Sequence, residues 1–462
     1  MTSSQDTIAA IATARGRAAL AIVRVSGPDA VRIADGCLRG PDLATAASHT
    51  AHFAHAVSAD GQEIDQVVAT IFRAPRSSTG EDVVEITCHG GDFASSLVLR
   101  SLVAGGARLA EPGEFTQRAF LNGKLDLAQA ESVADLIHAS SSLAHRVSLS
   151  QLEGRYSDLL RELRTELLDL SALVELELDF TEEDVEFANR IHLEALLGRS
   201  EGLLGNLLNS YQIGAVIRDG VQVVIGGRPN AGKSTLLNAL VGRERAIVSE
   251  VPGTTRDAIE AEVEIEGLLF RFIDTAGLRD TEDVIEAEGV RRAKHSIDTG
   301  DILLYLFDVA IGLDTGERAF LEELRGTQPE LPILVIANKQ DLAPDRDLSD
   351  KLSLPYFGIS AEWAKGHPEE LHPLVEVLVE TVGHGLSEAT NSPVVVNQRH
   401  RDHLARALKA VRSARQALDS GGYGDTLALD LRLALQELGA ITGEITNEDV
   451  LDQIFSRFCI GK

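Results

Sequence analysis

The eight residues Gly227-Arg228-Pro229-Asn230-Ala231-Gly232-Lys233-Ser234 constrain this chain more than any other stretch. Gly, four residues, then Gly-Lys-Ser is the pattern of a phosphate-binding loop. Val221 to Ile225 ahead of it reads as a buried strand, and Thr235 to Leu240 behind it as a helix. That order suits the chemistry. The glycines let backbone N–H groups converge on an anion at a helix N-terminus, Lys233 adds a point charge for the β and γ phosphates, and Ser234 offers a hydroxyl to Mg2+. The bland alternative is a glycine turn between a strand and a helix.

Four further signals follow in a fixed order. Val251-Pro252-Gly253-Thr254-Thr255-Arg256-Asp257 supplies a loop with hydroxyls, of which Thr255 could complete the Mg2+ shell. The strand Leu269 to Ile273 delivers Asp274-Thr275-Ala276-Gly277, where the Asp serves the metal through water and the Gly277 N–H can approach the γ-phosphate. A third strand, Leu331 to Ala337, ends in Asn338-Lys339-Gln340-Asp341. Asp341 is a pure acceptor and matches the N1–H and exocyclic amine of guanine, whereas adenine presents an acceptor at N1. Ser360-Ala361 stands where a backbone N–H would meet the guanine O6.

The expected GTP contacts are therefore Asn230, Ala231, Gly232, Lys233, Ser234 and Thr235 in the loop, then Thr254, Thr255, Asp274 and Gly277, then Asn338, Lys339, Asp341, Ser360 and Ala361. Lys233, Asp274 and Gly277 carry the hydrolytic role. One absence matters. Leu278 follows Asp-x-x-Gly where small signalling GTPases have the glutamine that orients the attacking water. No in-chain arginine finger is evident, which leaves Arg256, a partner, or a monovalent cation near Asn230 as the source of transition-state charge.

Around this cassette the 462 residues, 44% hydrophobic, suggest several domains. Residues 1–120 alternate strand-like runs (Ala19 to Val25, Val67 to Phe72, Val83 to Cys88) with turns and a helix from Phe93 to Ala104, and read as an α+β domain. Arg24 and Glu85 interrupt its apolar strands, as edge or solvent-facing residues would. Residues 121–217 read as part of a helical domain, with Leu159, Leu163, Leu167, Leu170 and Val174 on one helix face. Glycines at 198, 202 and 205 weaken the helix expected next. Residues 218–384 form the nucleotide domain, and 385–462 return to helical spacing through Leu404, Leu408, Val411, Leu427, Leu431, Ala434 and Leu438, with a last helix capped by Thr446 or Asn447. The fold class expected is thus multidomain: an N-terminal α+β domain, a central α-helical bundle domain, and an inserted α/β P-loop, Ras-like GTPase domain.

Composition excludes some functions. A formal charge of −28 argues against a broad nucleic-acid surface, so an RNA substrate needs a local basic patch or a basic partner. No long apolar run or signal peptide is present, which predicts a cytoplasmic protein with no membrane partner. Cys37, Cys88 and Cys459 form no metal-ligand spacing and no disulfide framework.

The chain resembles the MnmE (TrmE) family of bacterial tRNA uridine-modification GTPases. The resemblance rests on Gly-Arg-Pro-Asn-Ala-Gly-Lys-Ser, Pro-Gly-Thr-Thr-Arg-Asp and Asp-Thr-Ala-Gly-Leu-Arg, on Glu111 to Thr116 with Arg118 to Leu127, and on Phe458-Cys459-Ile460-Gly461-Lys462. It implies a homodimer that binds 5-formyltetrahydrofolate or methylenetetrahydrofolate through its N-terminal domain. It further implies a complex with the FAD- and NADH-dependent flavoprotein MnmG that modifies C5 of the wobble uridine of certain tRNAs.

By this resemblance Arg24, Glu85, Lys124 and Lys462 are folate contacts. Potassium (K+) is held by Asn230, Ser249, Val251 and Thr254, and Glu286 positions the water that no glutamine holds. Cys459 matches a cysteine with a suspected part in the modification, although a tail thiol with no adjacent base is most often only a thiol. The rival reading is an Era-like ribosome-assembly switch. It should carry a basic Gly-x-x-Gly loop, and Ser420-Gly421-Gly422-Tyr423-Gly424 has no basic flank.

Overall fold

The computed structural model describes residues 6–14, 16–179, 190–243, 259–274, 296–343, 356–383, 393–420 and 425–462. They divide into two compact units, one of Met1–Ile137, Ser150–Gly202 and His403–Lys462, the other of His138–Leu149 and Leu203–Asp402.

The first unit opens with a seven-stranded sheet built from β1 (Ile8–Ile11), β2 (Leu20–Ser26), β3 (Leu38–Arg39), β4 (Thr50–Val57), β5 (Glu63–Phe72), β6 (Val83–His89) and β7 (Arg108–Leu109), in the order β3-β4-β5-β6-β2-β1-β7. Every pairing is antiparallel except β1 with β7. Strict alternation decides the faces. Ala21, Val23 and Val25 of β2 and Val84, Ile86 and Cys88 of β6 are buried with Ile33 of the helix Ala30–Gly36 and with Val98 and Leu102 of the helix Asp92–Ala104. On the opposite face Ile8 and Ala10 of β1 are buried with Ala110 and Phe115, while Leu20, Phe53 and Val68 are exposed.

The helical part of this unit packs the helix Arg155–Asp179 against Asp425–Thr442. The buried stripe of the first runs through Tyr156, Leu160, Leu163, Leu167, Leu170 and Val174. Leu160, and not Leu159, carries it, because these steps follow the 3.6-residue turn more closely than the spacing starting at Leu159. Leu427, Leu431, Ala434 and Leu438 are buried on the second helix, as their spacing predicts. The last helix is Glu448–Phe455, and Asn447 is its cap, with the side chain accepting from Val450 N.

The helix Arg190–Asp219 runs straight through Gly198, Gly202 and Gly205. Each glycine costs about 1 kcal/mol relative to alanine, and burial of Leu193, Leu197, Leu204, Leu207 and Ile217 outweighs that cost. Gly214 on this helix has a packing reason, since a Cβ there would lie 2.0 Å from the Val395 carbonyl oxygen.

The second unit holds a six-stranded sheet of β8 (Val221–Gly227), β9 (Ile259–Ile265), β10 (Leu268–Asp274), β11 (Ile302–Asp308), β12 (Ile333–Asn338) and β13 (Tyr356–Gly358), ordered β13-β12-β11-β8-β10-β9. All neighbours are parallel except β9 with β10. Its core gathers Val223, Ile225, Leu304, Leu306 and Ile336 with Leu236 and Leu240 of the helix Lys233–Arg243 and with Leu374 and Leu378 of His372–Val382. Leu143, Ala144 and Val147 join this core. Their helix, Ser142–Leu152, starts on the β9–β10 turn, where Leu143 N donates to the Gly267 carbonyl at 3.1 Å and Ser142 N to Glu264 Oε1 at 3.0 Å.

Candidate guanine-nucleotide site and N-terminal ligand site

Because β8, β10, β11, β12 and β13 run parallel, their C-terminal ends meet along one edge, where open α/β sheets bind ligands. Register then sets the neighbours. Ile225 of β8 pairs with Asp274 of β10, and Asp308 of β11 with Asn338 of β12. The loop after β8 therefore starts between the ends of β10 and β11, with β11 separating it from β12.

Backbone conformation explains the composition of the loop. Gly227 has φ +134° and lies so close to β11 that a Cβ would stand 2.1 Å from the Leu306 oxygen. Asn230 takes the left-handed region at φ 64°, which asparagine tolerates better than most residues. Lys233 opens the next helix and is buried, with Nζ donating at 3.0 Å to the carbonyls of Gly227 and of Arg228. Ser234 is exposed and Thr235 half-buried in the first helical turn.

Asn338 binds three segments together. Its Nδ2 donates to the Ala231 carbonyl at 2.7 Å, and its Oδ1 accepts from Ala361 N at 3.0 Å. Beside it Lys339, at φ 65°, places Nζ 2.7 Å from Asp308 Oδ2. Burial acts to raise the Asp308 pKa, but the Lys339 ammonium and the N–H groups of Ala310 and Ile311 outweigh it and hold the carboxyl below its ordinary value. Asp341 is exposed, and its Oδ1 accepts from Ser360 Oγ at 2.6 Å; the Ser360 Oγ in turn accepts from Trp363 N at 3.2 Å. Asn230, Ala231, Gly232, Lys233, Ser234, Thr235, Asn338, Lys339, Asp341, Ser360 and Ala361 thus belong to one strand-end cluster.

Asp274 is placed by its backbone at the end of β10. Ser249, Val251, Thr254, Thr255, Gly277 and Glu286 lie outside the described residues. Of the residues expected to hold cations, Ser234 for Mg2+ and Asn230 for K+ are the described ones, and both offer oxygen donors suited to hard cations. Among the described residues no group of three or more His, Cys, Asp and Glu is arranged to hold a metal.

Three residues around the loop escape the sequence reading: Arg228, Asp308 and Glu317. A signal for the last existed, because Asp314-Thr315-Gly316-Glu317 has capping-box spacing. Both reciprocal bonds of that box are present.

A second cluster lies in the first unit. Arg24 and Glu85 are direct partners across β2 and β6, interior strands of the sheet, so neither is an edge residue. Arg24 Nε donates to Glu85 Oε1 at 2.9 Å, with side chains only 20% and 24% exposed. The guanidinium also lies 5.5 Å from the centre of the Phe115 ring.

The C-terminal segment closes on the same place. Gly461 O accepts from Arg24 Nη1 at 3.4 Å, Lys462 O accepts from Phe115 N at 3.1 Å, and Pro112 pairs with Ile460. Cys459 is exposed, and its carbonyl accepts from Gly113 N at 3.4 Å. Lys124 donates through Nζ to the Pro75 carbonyl at 3.1 Å. Arg24, Glu85 and the tail are brought together by direct bonds, and Lys124 bonds to Pro75 instead.

Beneath this cluster Arg118 meets Asp6 at 2.6 Å, Glu114 at 2.9 Å and Glu81 at 3.2 Å, while Arg108 reaches Glu114 at 2.6 Å and Asp6 at 2.8 Å. Burial acts to raise the Glu114 pKa, but Arg108, the Glu111 N–H and Arg118 hold it below the ordinary value.

Residues 127–459 match the model of the MnmE helical domain, and residues 7–124 that of the GTP-binding protein TrmE N-terminus. The chain is 64% identical over 460 residues to the tRNA modification GTPase MnmE of Salinibacter ruber, covering 100% of both. It is 44% identical to the protein of that name from Cytophaga hutchinsonii, covering 100% of this chain and 99% of that one. Among solved structures, Era from Aquifex aeolicus aligns at 26% identity over 41% of this chain and 66% of its own, with a TM-score of 0.27. By its full-length identity to these relatives and its two family matches, the chain belongs to the MnmE (TrmE) family.

Proposed function

We propose that this protein is a potassium-dependent GTP hydrolase. With a flavoprotein partner of the MnmG type, carrying FAD and NADH, it modifies C5 of the wobble uridine of certain tRNAs using a tetrahydrofolate one-carbon donor. The observation that carries the nucleotide half is the joining of the phosphate loop, β12 and the 360–361 turn through the single side chain of Asn338. That bond set holds Asp341 and the Ala361 backbone beside the loop that cradles phosphates.

In this reading Lys233 and the loop N–H groups bind the β and γ phosphates, and Asp341 accepts from the guanine N1–H and amine. Ser234 and Thr255 would hold Mg2+, which when bound would neutralise developing phosphate charge, and Asn230 with Ser249, Val251 and Thr254 would hold K+, which would supply the positive charge that an arginine finger gives elsewhere. Glu286, Asp274 and Gly277 position the water and the γ-phosphate. The relatives are named tRNA modification GTPases, which supports the same activity here.

The N-terminal cluster is the folate site in this reading. A pterin presents donors on one edge and its tail presents carboxylates, which Glu85 and Arg24 answer with opposite charge. Lys124 and Lys462 add positive charge around it. Cys459 is a candidate for the modification chemistry, being an exposed thiol next to that site. A homodimer suits the sheet face on which Phe53 and Val68 are exposed. The domains proposed are 1–120, 121–217, 218–384 and 385–462, and a cytoplasmic location follows from the tRNA substrate.

The test is GTP turnover by the purified full-length protein, together with mass analysis of wobble uridine in tRNA from cells lacking it. Loss of the C5 group in those cells supports the reading. Unmodified turnover chemistry with intact tRNA modification would leave an Era-like switch as the better account.

A further inference from the structure

We infer that Arg228, the second residue of the phosphate loop, is a positioning residue that tethers the loop to the helix Thr315–Thr327 and is not a source of transition-state charge. The inference rests on the GTPase reading above. The guanidinium meets two carboxylates of one helix start. Its Nη2 pairs with Asp314, and its Nε lies 3.2 Å from Glu317 Oε2. Those carboxylates are themselves fixed. Glu317 is 8% exposed and accepts from Asp314 N at 2.9 Å and from the Tyr305 hydroxyl at 3.0 Å, while Asp314 Oδ1 accepts from Glu317 N at 2.7 Å.

The main chain of the same residue faces the chemistry. Arg228 O accepts from Lys233 Nζ at 3.0 Å, so one residue has its side chain held by the helix and its carbonyl bonded to the phosphate-binding amine. Tyr305 closes the circuit, because a Cβ on Gly226, just before the loop, would lie 3.2 Å from its ring. The loop is thereby clamped between β11 and the helix start. With two carboxylates within reach, the guanidinium is already neutralised and is poorly placed to stabilise new negative charge.

The full-length protein tests this with Arg228→Ala, Arg228→Lys and Glu317→Gln, read by a fluorescent guanine nucleotide for affinity and dissociation rate and by GTP turnover at saturation. Arg228→Ala is expected to weaken GDP and GTP alike by about tenfold, through faster dissociation, as loss of one charge-assisted bond pair would. Turnover at saturating GTP should change far less. Arg228→Lys should recover most of the affinity, and adding Glu317→Gln to Arg228→Ala should cost nothing further, because the two share one interaction.

Wild-type affinity in Arg228→Ala, additive losses in the double variant, or a fall in saturated turnover larger than the fall in affinity would each overturn the tether. If Arg228→Ala fails to fold, Glu317→Gln alone still decides, since it should weaken nucleotide binding and an unchanged affinity overturns the tether. A wild-type protein that binds no guanine nucleotide overturns the GTPase reading itself, and the tether with it.

Discussion

The Asn338 amide occupies the place that a side chain on Gly232 would need: a Cβ there would stand 2.1 Å from Nδ2. Gly232 also has φ +98°, so two independent constraints fall on one residue. The glycine that the phosphate-loop pattern demands is thus required by the Asn338 side chain as much as by the conformation of its own backbone.

Gly232→Ala should therefore abolish nucleotide binding while leaving the N-terminal unit folded. Asn338→Ala leaves the Ala361 N–H and the Ala231 carbonyl without their partner, and a buried unpaired group costs about 1–3 kcal/mol. A ten- to hundredfold loss of GTP affinity by equilibrium titration is the expected outcome, roughly that cost in free energy.

Potassium should accelerate GTP hydrolysis well beyond sodium at equal ionic strength, because no arginine finger is evident and Asn230 stands in the loop. Asn230→Ala should erase the difference between the two salts. Equal rates in KCl and NaCl for the wild type would remove the cation from the mechanism.

Glu286→Ala should slow turnover while leaving GTP affinity nearly unchanged, since Leu278 replaces the usual water-orienting glutamine. Stopped-flow binding beside single-turnover hydrolysis separates the two effects; a proportional fall in affinity would assign Glu286 to binding instead.

Much of the nucleotide unit was legible because its motifs report local backbone needs: glycine where φ is positive, a strand before the loop, a helix after it. Arg24 and Glu85 were not. As isolated charges in apolar strands they read as solvent-facing, and only the register of two strands far apart in sequence shows them as partners. The helix Arg190–Asp219 misled for the opposite reason, since glycine propensity is local and the packing that overrides it is not. Arg228 was overlooked because the pattern leaves its position free, and its partners are distant in sequence.

Acid should loosen the N-terminal unit. In Asp6, burial acts to raise the pKa and Arg108 and Arg118 outweigh it, so it is depressed on folding, as in Glu114. Groups depressed in the folded state stabilise it above their unfolded pKa values, about 3.9 and 4.3, and lose that contribution as pH falls through the folded values. Melting temperature should thus drop steeply below about pH 4. Glu114→Gln should be less stable at pH 7 by about 3 kcal/mol, as when one partner of a buried pair is removed, and should lose less on acidification.

Arg24→Ala removes both the Glu85 pair and the stacking on Phe115, and should abolish folate binding by isothermal calorimetry with GTP turnover retained. Glu85→Gln keeps the shape and should weaken binding less.

The contact between Arg24 and Gly461 joins positions 437 apart in the chain, across the whole nucleotide unit. During synthesis the nucleotide sheet can close on itself while its own residues emerge, but the N-terminal cluster must wait for the far end of the polypeptide. Long-range closure of this kind is slow. A nascent chain would then complete the nucleotide sheet before the N-terminal cluster, so the two clusters form in the reverse of their order along the sequence.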